Sequence, residues 1–448
     1  MSHNPETPGP ATAKRHIDRV RGAIGYEEAV RRLLAQATAL PAETCPLALA
    51  SGRVLARDVR SPMDLPSFDH AAMDGYALSA GTGIASGAEF DVLASQAAGD
   101  GPRQIDSGGC EIMTGARMPE GVDAVIPVEQ TQLLASNNDG SPARIRVLQE
   151  VRTGQNVRLA GSDIANGANA IAAGTCIDAA TTMLLAALGQ AHVDVVRQPR
   201  VAIICTGKEL QADATQPLDA DRIHASNGPY LASALAAAGA RVTACLTVDD
   251  TAVTFADALR GVLRDGVDLV ISTGAVSMGR YDFIPELLRE SGAELLFHGV
   301  AMRPGKPLLC ARLANGPLLL AMPGTPMAVA VAMRFFVNPL LRAMLGQAPE
   351  TTVPAALTTA QSPKPGLRHF LRGQLHVDDN GCLQATPLPQ QQPFRIHAFA
   401  QADAWIILDG ESAECPVGTM VAIASLVAGV PMQIARTRSA NARAGEPA

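Results

Sequence analysis

From Arg200 onward, apolar runs of strand length alternate with amphipathic runs of helix length. RVAIICTG reads as a strand that breaks at Thr-Gly, and NGPYLASALAAAG as a helix with Asn227 near its start and Gly239 past its end. RVTACLTVDD is a second strand, TAVTFADALRGVLRDG a helix, VDLVISTG a continuously apolar strand and FIPELLRESG another helix. AELLFHGV, PLLCARL and PLLLAM add strands, and a last helix follows Pro326. Strands apolar throughout must be covered on both faces. The pattern therefore predicts a doubly wound, mainly parallel α/β domain over residues 197–345.

The flanking segments have a different texture. YEEAVRRLLAQATAL predicts a helix and PLALASGRVLARDV a short helical or extended piece. Over residues 61–157, short apolar runs such as FDVLASQ, AVIPVEQTQLL and RIRVLQE lie among Gly, Pro and Asp, which predicts a small β domain. GSDIANGANAIAAGTCIDAATTMLLAALGQAHVDVV then gives turns, a helix from Ala179 to Leu188 and a closing strand. We expect residues 16–60 and 158–196 to form one extended helical/β domain into which the β domain is inserted. HFLRGQLHV, DAWIILDG and TMVAIASL predict a small C-terminal β-barrel over residues 346–436. Residues 1–15 and 437–448 read as disordered tails. No fixed-period repeat is present, which excludes solenoids and propellers.

Composition narrows the function. A chain of 448 residues exceeds what one core serves. A formal net charge of −7 argues against a general polyanion binder, so no nucleic-acid partner is expected. The eight cysteines form no Cys-x-x-Cys pair and no cluster at zinc spacing, and read as incidental thiols of a reducing cytosol. The N-terminal residues lack the apolar core of a signal peptide. The most apolar later stretch, from Gly316, is interrupted by Pro-Gly and carries Arg334, which argues against a membrane span. A soluble, cytoplasmic protein is the expectation.

Three strand ends of the α/β domain finish in similar loops: TGKEL at 206–210, TGAVSMG at 273–279 and PGTP at 323–326. Ligands of open α/β sheets bind beyond the carboxyl ends of the strands, where glycine admits close approach and N–H groups favour an anion. One such loop is ordinary turn chemistry; three in one domain point to a phosphate-bearing ligand. The P-loop and the strand-linked Gly-x-Gly-x-x-Gly fingerprint are both absent. Glu209, Asp249, Asp250 and Asp282 fall at or just past strand ends, a placement suited to a hard cation such as Mg2+. MRPGKP adds Arg303 and Lys306 on a stiff turn, although any one of these charges could equally be a solvated surface group.

FDHAAMDGYAL, IMTGARMPEGVDAVIPVEQT, VRLAGSDI, VAIICTGKEL, ISTGAVSMGRYDF, VAMRPGKPLL and LLLAMPGTPMAV resemble, in this order, the motifs of the MoeA-type molybdopterin molybdenumtransferases, a family that includes the E domain of gephyrin. The resemblance implies an elongated four-domain homodimer that takes adenylylated molybdopterin and molybdate and, with Mg2+, releases AMP as molybdenum enters the dithiolene. It implies an adenylyltransferase upstream and molybdoenzyme acceptors downstream. The family's functional positions fall on Asp74, Thr114, Glu209, Asp249, Asp282, Arg303, Lys306 and Arg372. Their charges assign Mg2+ and the substrate pyrophosphate to Glu209, Asp249 and Asp282, and the molybdate oxyanion to Arg303, Lys306 and Arg372. Asp74 and Thr114 would reach the substrate from the second subunit. The loop residues Gly207, Gly274, Ser277, Gly324 and Thr325 are expected to contact substrate or molybdate. The substrate brings its own two sulfurs, which accounts for the missing cysteine cluster.

The chain departs from the family pattern at several positions. Glu111 stands for a usual Arg, Ala275 for Gly, Gly299 for a basic residue, Thr325 for Asn and Ala328 for Ser. The stretch QQQPFRIHAFAQAD, with Phe394, lacks the usual Gly-Ser pattern. The lost groups at 299 and 328 are expected to alter the oxyanion pocket, leaving the choice between molybdate and tungstate open. Two other readings remain at this point: a molybdopterin-binding scaffold or delivery protein, and the related adenylyltransferase built on the same α/β module.

Overall fold

The computed structural model describes residues 22–277, 282–314 and 316–436, so both predicted tails lie outside it. The chain forms two compact units, Thr44–Val195 and the remainder.

Within Thr44–Val195, six strands make a curled sheet in the order Ala124–Pro127, Gly75–Leu78, Gly109–Ile112, Glu89–Gln96, Pro142–Val147, Thr131–Ser136. Alternation along the strands splits its apolar residues between two cores. Tyr76, Leu78, Ile126 and Ile145 pack on one face, and Ala77, Cys110, Ile112 and Val125 on the other. The segments flanking this sheet pair with each other: Val59–Arg60 lies antiparallel to Asn169–Ile171, and His70–Ala71 to Val157–Arg158. Cys45, Leu55, Ile177, Leu185 and Val195 close a small core beside them. The helix Ala179–Ala187 starts there because the Asp178 carboxylate accepts the Thr181 N–H at 2.8 Å.

One grouping needs correction. The helix Tyr26–Leu34, expected to belong with residues 158–196, buries Ala29 and Leu33 instead in the main core of the other unit, with Phe297, Val300 and Phe336.

That core belongs to the α/β domain. Its elements are β1 (Arg200–Thr206), α1 (Asn227–Ala237), β2 (Arg241–Val248), α2 (Ala252–Arg264), β3 (Leu269–Thr273), α3 (Ile284–Glu290), β4 (Glu294–His298), β5 (Leu309–Arg312), β6 (Leu318–Met322) and the long helix α4 (Pro326–Met344). The sheet order is β2-β1-β3-β6-β5-β4. The first four strands are parallel, and at the far edge β5 runs antiparallel to both its neighbours, β6 and β4. Alternate positions along each strand separate between the two faces. Val201, Ile203, Leu269 and Ile271 face α1 and α4, whereas Ala202, Ile204, Val270 and Leu319 face Phe255 and Leu259 of α2 and Leu288 of α3. Each such Ile or Leu contributes roughly 1.5–3 kcal/mol by burial.

Helix α4 is long and apolar enough to cross a membrane by composition, but 83% of its most apolar window is buried inside the fold. It is the core helix on which the C-terminal domain rests. Its Arg334 donates to Ser425 O at 2.8 Å and to Glu350 Oε1 at 2.6 Å. The C-terminal strands Val353–Leu357, Arg368–Val377, Leu383–Pro387, Ala404–Leu408 and Met420–Ser425 close a five-stranded barrel around Leu357, Leu375, Ile406 and Ile423. Arg303 also pairs with this barrel, in register with His369.

Candidate active site

The three Thr-Gly and Pro-Gly loops leave the carboxyl ends of β1, β3 and β6, which are adjacent parallel strands. Parallel pairing thus brings to one sheet edge three loops that are well separated in sequence. Side-chain and backbone bonds then join them. Thr206 Oγ1 donates to Thr273 O at 3.2 Å, Gly274 N to Met322 O at 2.9 Å and Asn227 Nδ2 to Gly324 O at 2.8 Å. Gly274 is needed for this approach: at φ +92°, a Cβ there would lie 2.5 Å from Thr206 Oγ1 and 2.6 Å from Thr206 O.

Two cavities open at this edge and share Gly324. The larger, of about 450 Å³, is lined by Ser277, Asp282, Arg303, Lys306 and Thr325, with Ala328 and Pro393 among its other walls. The smaller, of about 80 Å³, is lined by Thr206, Glu209, His224, Asn227 and Thr273. Arg303 and Lys306 are exposed, and among the described residues neither side chain makes a hydrogen bond or an ion pair. Two uncommitted cations facing one carboxylate leave the larger cavity net positive, which suits a multiply charged oxyanion.

The turn that carries these cations is held by its neighbours. Its Arg303–Pro304 peptide is cis, and Val300 N donates to Lys306 O at 2.8 Å. His369, beside Arg303, is buried, and its Nε2 accepts the Lys364 N–H at 3.1 Å. Burial, reinforced by the Arg303 charge, pushes its pKa down, so the ring is neutral at physiological pH. His298 Nε2 lies 3.0 Å from the carbonyl oxygen of Val276, which lines the larger cavity, a contact that requires the proton on that nitrogen.

The acids are arranged differently from expectation. Glu209 lines the smaller cavity and Asp282 the larger, while Asp249 lines neither and sits exposed between β2 and α2. No group of three His, Cys, Asp or Glu residues among the described residues could hold a metal ion. Of the expected metal triad, Glu209 and Asp282 thus line one cavity each and Asp249 lines neither. β2 is nonetheless the direct neighbour of β1, and Gly207 N donates to Val248 O at 3.1 Å, so the loops that carry Glu209 and Asp249 start side by side. What remains is one carboxylate per cavity. That donor set fits Mg2+ only where the ligand's own phosphate oxygens complete the coordination.

A second correction concerns Arg372. Expected to hold the oxyanion, it is 1% exposed, and its guanidinium is engaged by carbonyls of residues 390–395. Gly299 also lies outside the lining of the larger cavity, and its φ of +98° is a conformation unsuited to a long basic side chain; Ala328 does line the cavity. Asp74 and Thr114 lie in the Thr44–Val195 unit, where the Asp74 carboxylate accepts the Thr114 N–H at 2.6 Å and its hydroxyl at 2.7 Å. Those two bonds hold the Asp74 pKa below the usual carboxylate range. Sequence reasoning missed Asn227, Thr206, His224 and Pro393 as lining residues. Asn227 could have been found as a polar residue opening the helix after a Gly-rich strand end. Pro393 had no signal, because it arrives from the barrel.

Three family models cover the chain. The MoeA N-terminal region (domain I and II) matches residues 24–189, the "Probable molybdopterin binding domain" residues 202–343, and the MoeA C-terminal region (domain IV) residues 354–426. A protein of Synechococcus elongatus named molybdopterin molybdenumtransferase is 33% identical over 415 residues, 90% of this chain and 100% of its own length. The chain belongs to the MoeA family. A second member with the same name, from Bacillus subtilis, is 34% identical over 87% of this chain and 91% of its own. The crystal structure of the MoeA protein from Pyrococcus horikoshii superposes with a TM-score of 0.74 at 26% identity, covering 90% of this chain and 99% of that one. The multidomain α/β architecture with a curled sheet and a closed five-stranded barrel is that of the MoeA family.

Proposed function

We propose that this MoeA-family chain inserts molybdate-derived molybdenum into adenylylated molybdopterin, with Mg2+-dependent release of AMP. Membership of a family whose members are named molybdopterin molybdenumtransferase makes it an enzyme of molybdenum cofactor biosynthesis. The observation that carries the finer reading is that Arg303 and Lys306, whose side chains have no protein partner among the described residues, line one cavity with Asp282. In this reading the two cations donate charge-assisted hydrogen bonds to the molybdate oxygens, with Ser277 and Thr325 as neutral donors beside them. The loops around Gly207, Gly274 and Gly324 present backbone close to the pterin phosphate, and Glu209 with Asn227 lines the adjoining pocket. Mg2+, when bound, neutralises phosphate oxygens; Asp282 and Glu209 are the residues that would hold it. Asp249, just past the end of β2 and beside β1, is the third acid proposed for this site.

A cytoplasmic homodimer is part of the proposal, with Asp74 and Thr114 contributed to the substrate of a second copy. So are an adenylyltransferase that makes the substrate and molybdoenzymes that accept the product.

The test is AMP release by the purified protein from adenylylated molybdopterin with Mg2+, alone, with molybdate and with tungstate. Molybdate-stimulated release with a metallated pterin product supports the transferase. Asp282→Ala should remain folded yet lose Mg2+-dependent release. Tight pterin binding with no release under any condition would replace the transferase by a scaffold or delivery protein.

A further inference from the structure

The buried guanidinium of Arg372 lies at the centre of the loop 390–395. Arg372 Nη1 donates to Arg395 O at 2.6 Å, and Nη2 to Gln390 O at 2.5 Å and Gln392 O at 3.3 Å. Its Nε lies 3.4 Å from Gln391 Oε1. Gln391 returns the interaction: its Oε1 accepts the Arg372 N–H at 3.0 Å and its Nε2 donates to Arg372 O at 2.8 Å. A planar fork with several donors is thus matched to the carbonyls of residues 390, 392 and 395 of one loop. The far side of the same loop carries Pro393, which lines the larger cavity with Arg303, Lys306 and Thr325. Pro393 O in turn accepts the Met327 N–H at 3.0 Å, fastening the loop to the first turn of α4.

We infer that Arg372 is a positioning residue. It acts on the oxyanion pocket through loop 390–395, by holding Pro393 as a wall of the cavity, and does not itself contact the oxyanion. This rests on the molybdate reading of the pocket given above. It also gives the departure QQQPFR a physical role: the glutamine-rich loop is wrapped around the arginine it must be shaped by. The partners are neutral carbonyls, so the requirement is for the fork and not for positive charge alone. Lysine, with one compact ammonium on a flexible stem, keeps the charge but cannot satisfy carbonyls spread from residue 390 to 395.

The experiment compares Arg372→Lys, Arg372→Met and Gln391→Leu with the parent protein. Amide hydrogen exchange reads the loop, and the molybdate dependence of AMP release reads the pocket. Trp405, the single tryptophan of the chain, is the cross-strand partner of Arg372 and is 1% exposed, so its fluorescence reports whether the barrel is intact. With unchanged Trp405 emission, all three variants should show faster exchange at Met327, Arg395 and Ile396. All three should raise the KM for molybdate by about tenfold or more with a smaller change in kcat. Arg372→Lys should be no better than Arg372→Met. A near-normal molybdate KM in Arg372→Lys beside a large loss in Arg372→Met would overturn the inference in favour of a direct charge contact, as would unchanged exchange in the loop. If the Arg372 variants do not fold, Gln391→Leu decides by the same two readouts. Should the parent protein show no molybdate response, the transferase reading fails, and exchange alone decides the role of Arg372.

Discussion

Asp74 and Thr114 meet because their strands are registered neighbours: Gly75 pairs with Ile112, so the residue before one strand faces the residues just after the other. The carboxylate takes both donors of one threonine, the N–H and the hydroxyl. Thr114→Val keeps the backbone bond and removes the hydroxyl. The Asp74 pKa should rise yet stay below the ordinary 3.8, as read by carboxyl NMR titration. An unmoved pKa would show that the hydroxyl contributes nothing. Under the proposed function the same variant should lower kcat/KM about tenfold, the scale of one hydrogen bond to a charged group.

The Lys306 side chain is exposed at the cavity and has no hydrogen-bond or ion-pair partner among the described residues, so truncating it leaves no buried group unsatisfied. Lys306→Ala should fold normally. It should raise the molybdate KM by about ten- to a hundredfold, the loss of one charge-assisted hydrogen bond. Affinity for the pterin, measured by calorimetry, should change much less. Collapse of pterin binding with an intact molybdate response would reverse the division between oxyanion and phosphate sites.

Ala275 adopts φ +49°, where an L side chain is strained, and its carbonyl accepts the Ile284 N–H at 3.2 Å. The strain costs about 1–2 kcal/mol. Replacement by glycine removes it but frees the unfolded chain by about 0.5–1 kcal/mol. Strain is the larger effect, so Ala275→Gly should stabilise the protein by up to about 1 kcal/mol, measured by denaturant titration. Destabilisation would mean that the methyl group contributes packing that outweighs the strain.

His369 gives stability a pH dependence. Its native pKa is depressed, so below the ordinary value of 6.5 the unfolded chain binds more protons than the native one, and stability rises with pH. The contribution is complete above 6.5 and is lost as pH falls from 6.5 towards the native value. His369→Gln can still accept the Lys364 N–H but does not titrate. It should flatten the difference in stability between about pH 7.5 and pH 5.5, measured by chemical denaturation. An equal slope in both proteins would place the dependence elsewhere.

The period of the apolar positions determined the α/β domain. Strands such as LVIST and LLLAM are buried on both faces and had to lie inside a sheet covered by helices, and each strand ended where Thr-Gly or Pro-Gly stopped it. The same motifs singled out Arg303, Lys306 and Asp282 as candidates, and the three line one cavity; charge on a loop beyond a strand is a local property. Only the tertiary structure decided what is set by neighbours distant in sequence. The helix Tyr26–Leu34 has an apolar stripe that fits any apolar surface, and its partner core was fixed by packing. Asp249 looked equivalent to Glu209 and Asp282 along the chain, but only those two line the cavities. Arg372 carries the same charge whether it faces solvent, an oxyanion or a ring of carbonyls. Charge is written in the sequence, whereas burial and hydrogen-bond partners come from the closed barrel and the loop folded over it.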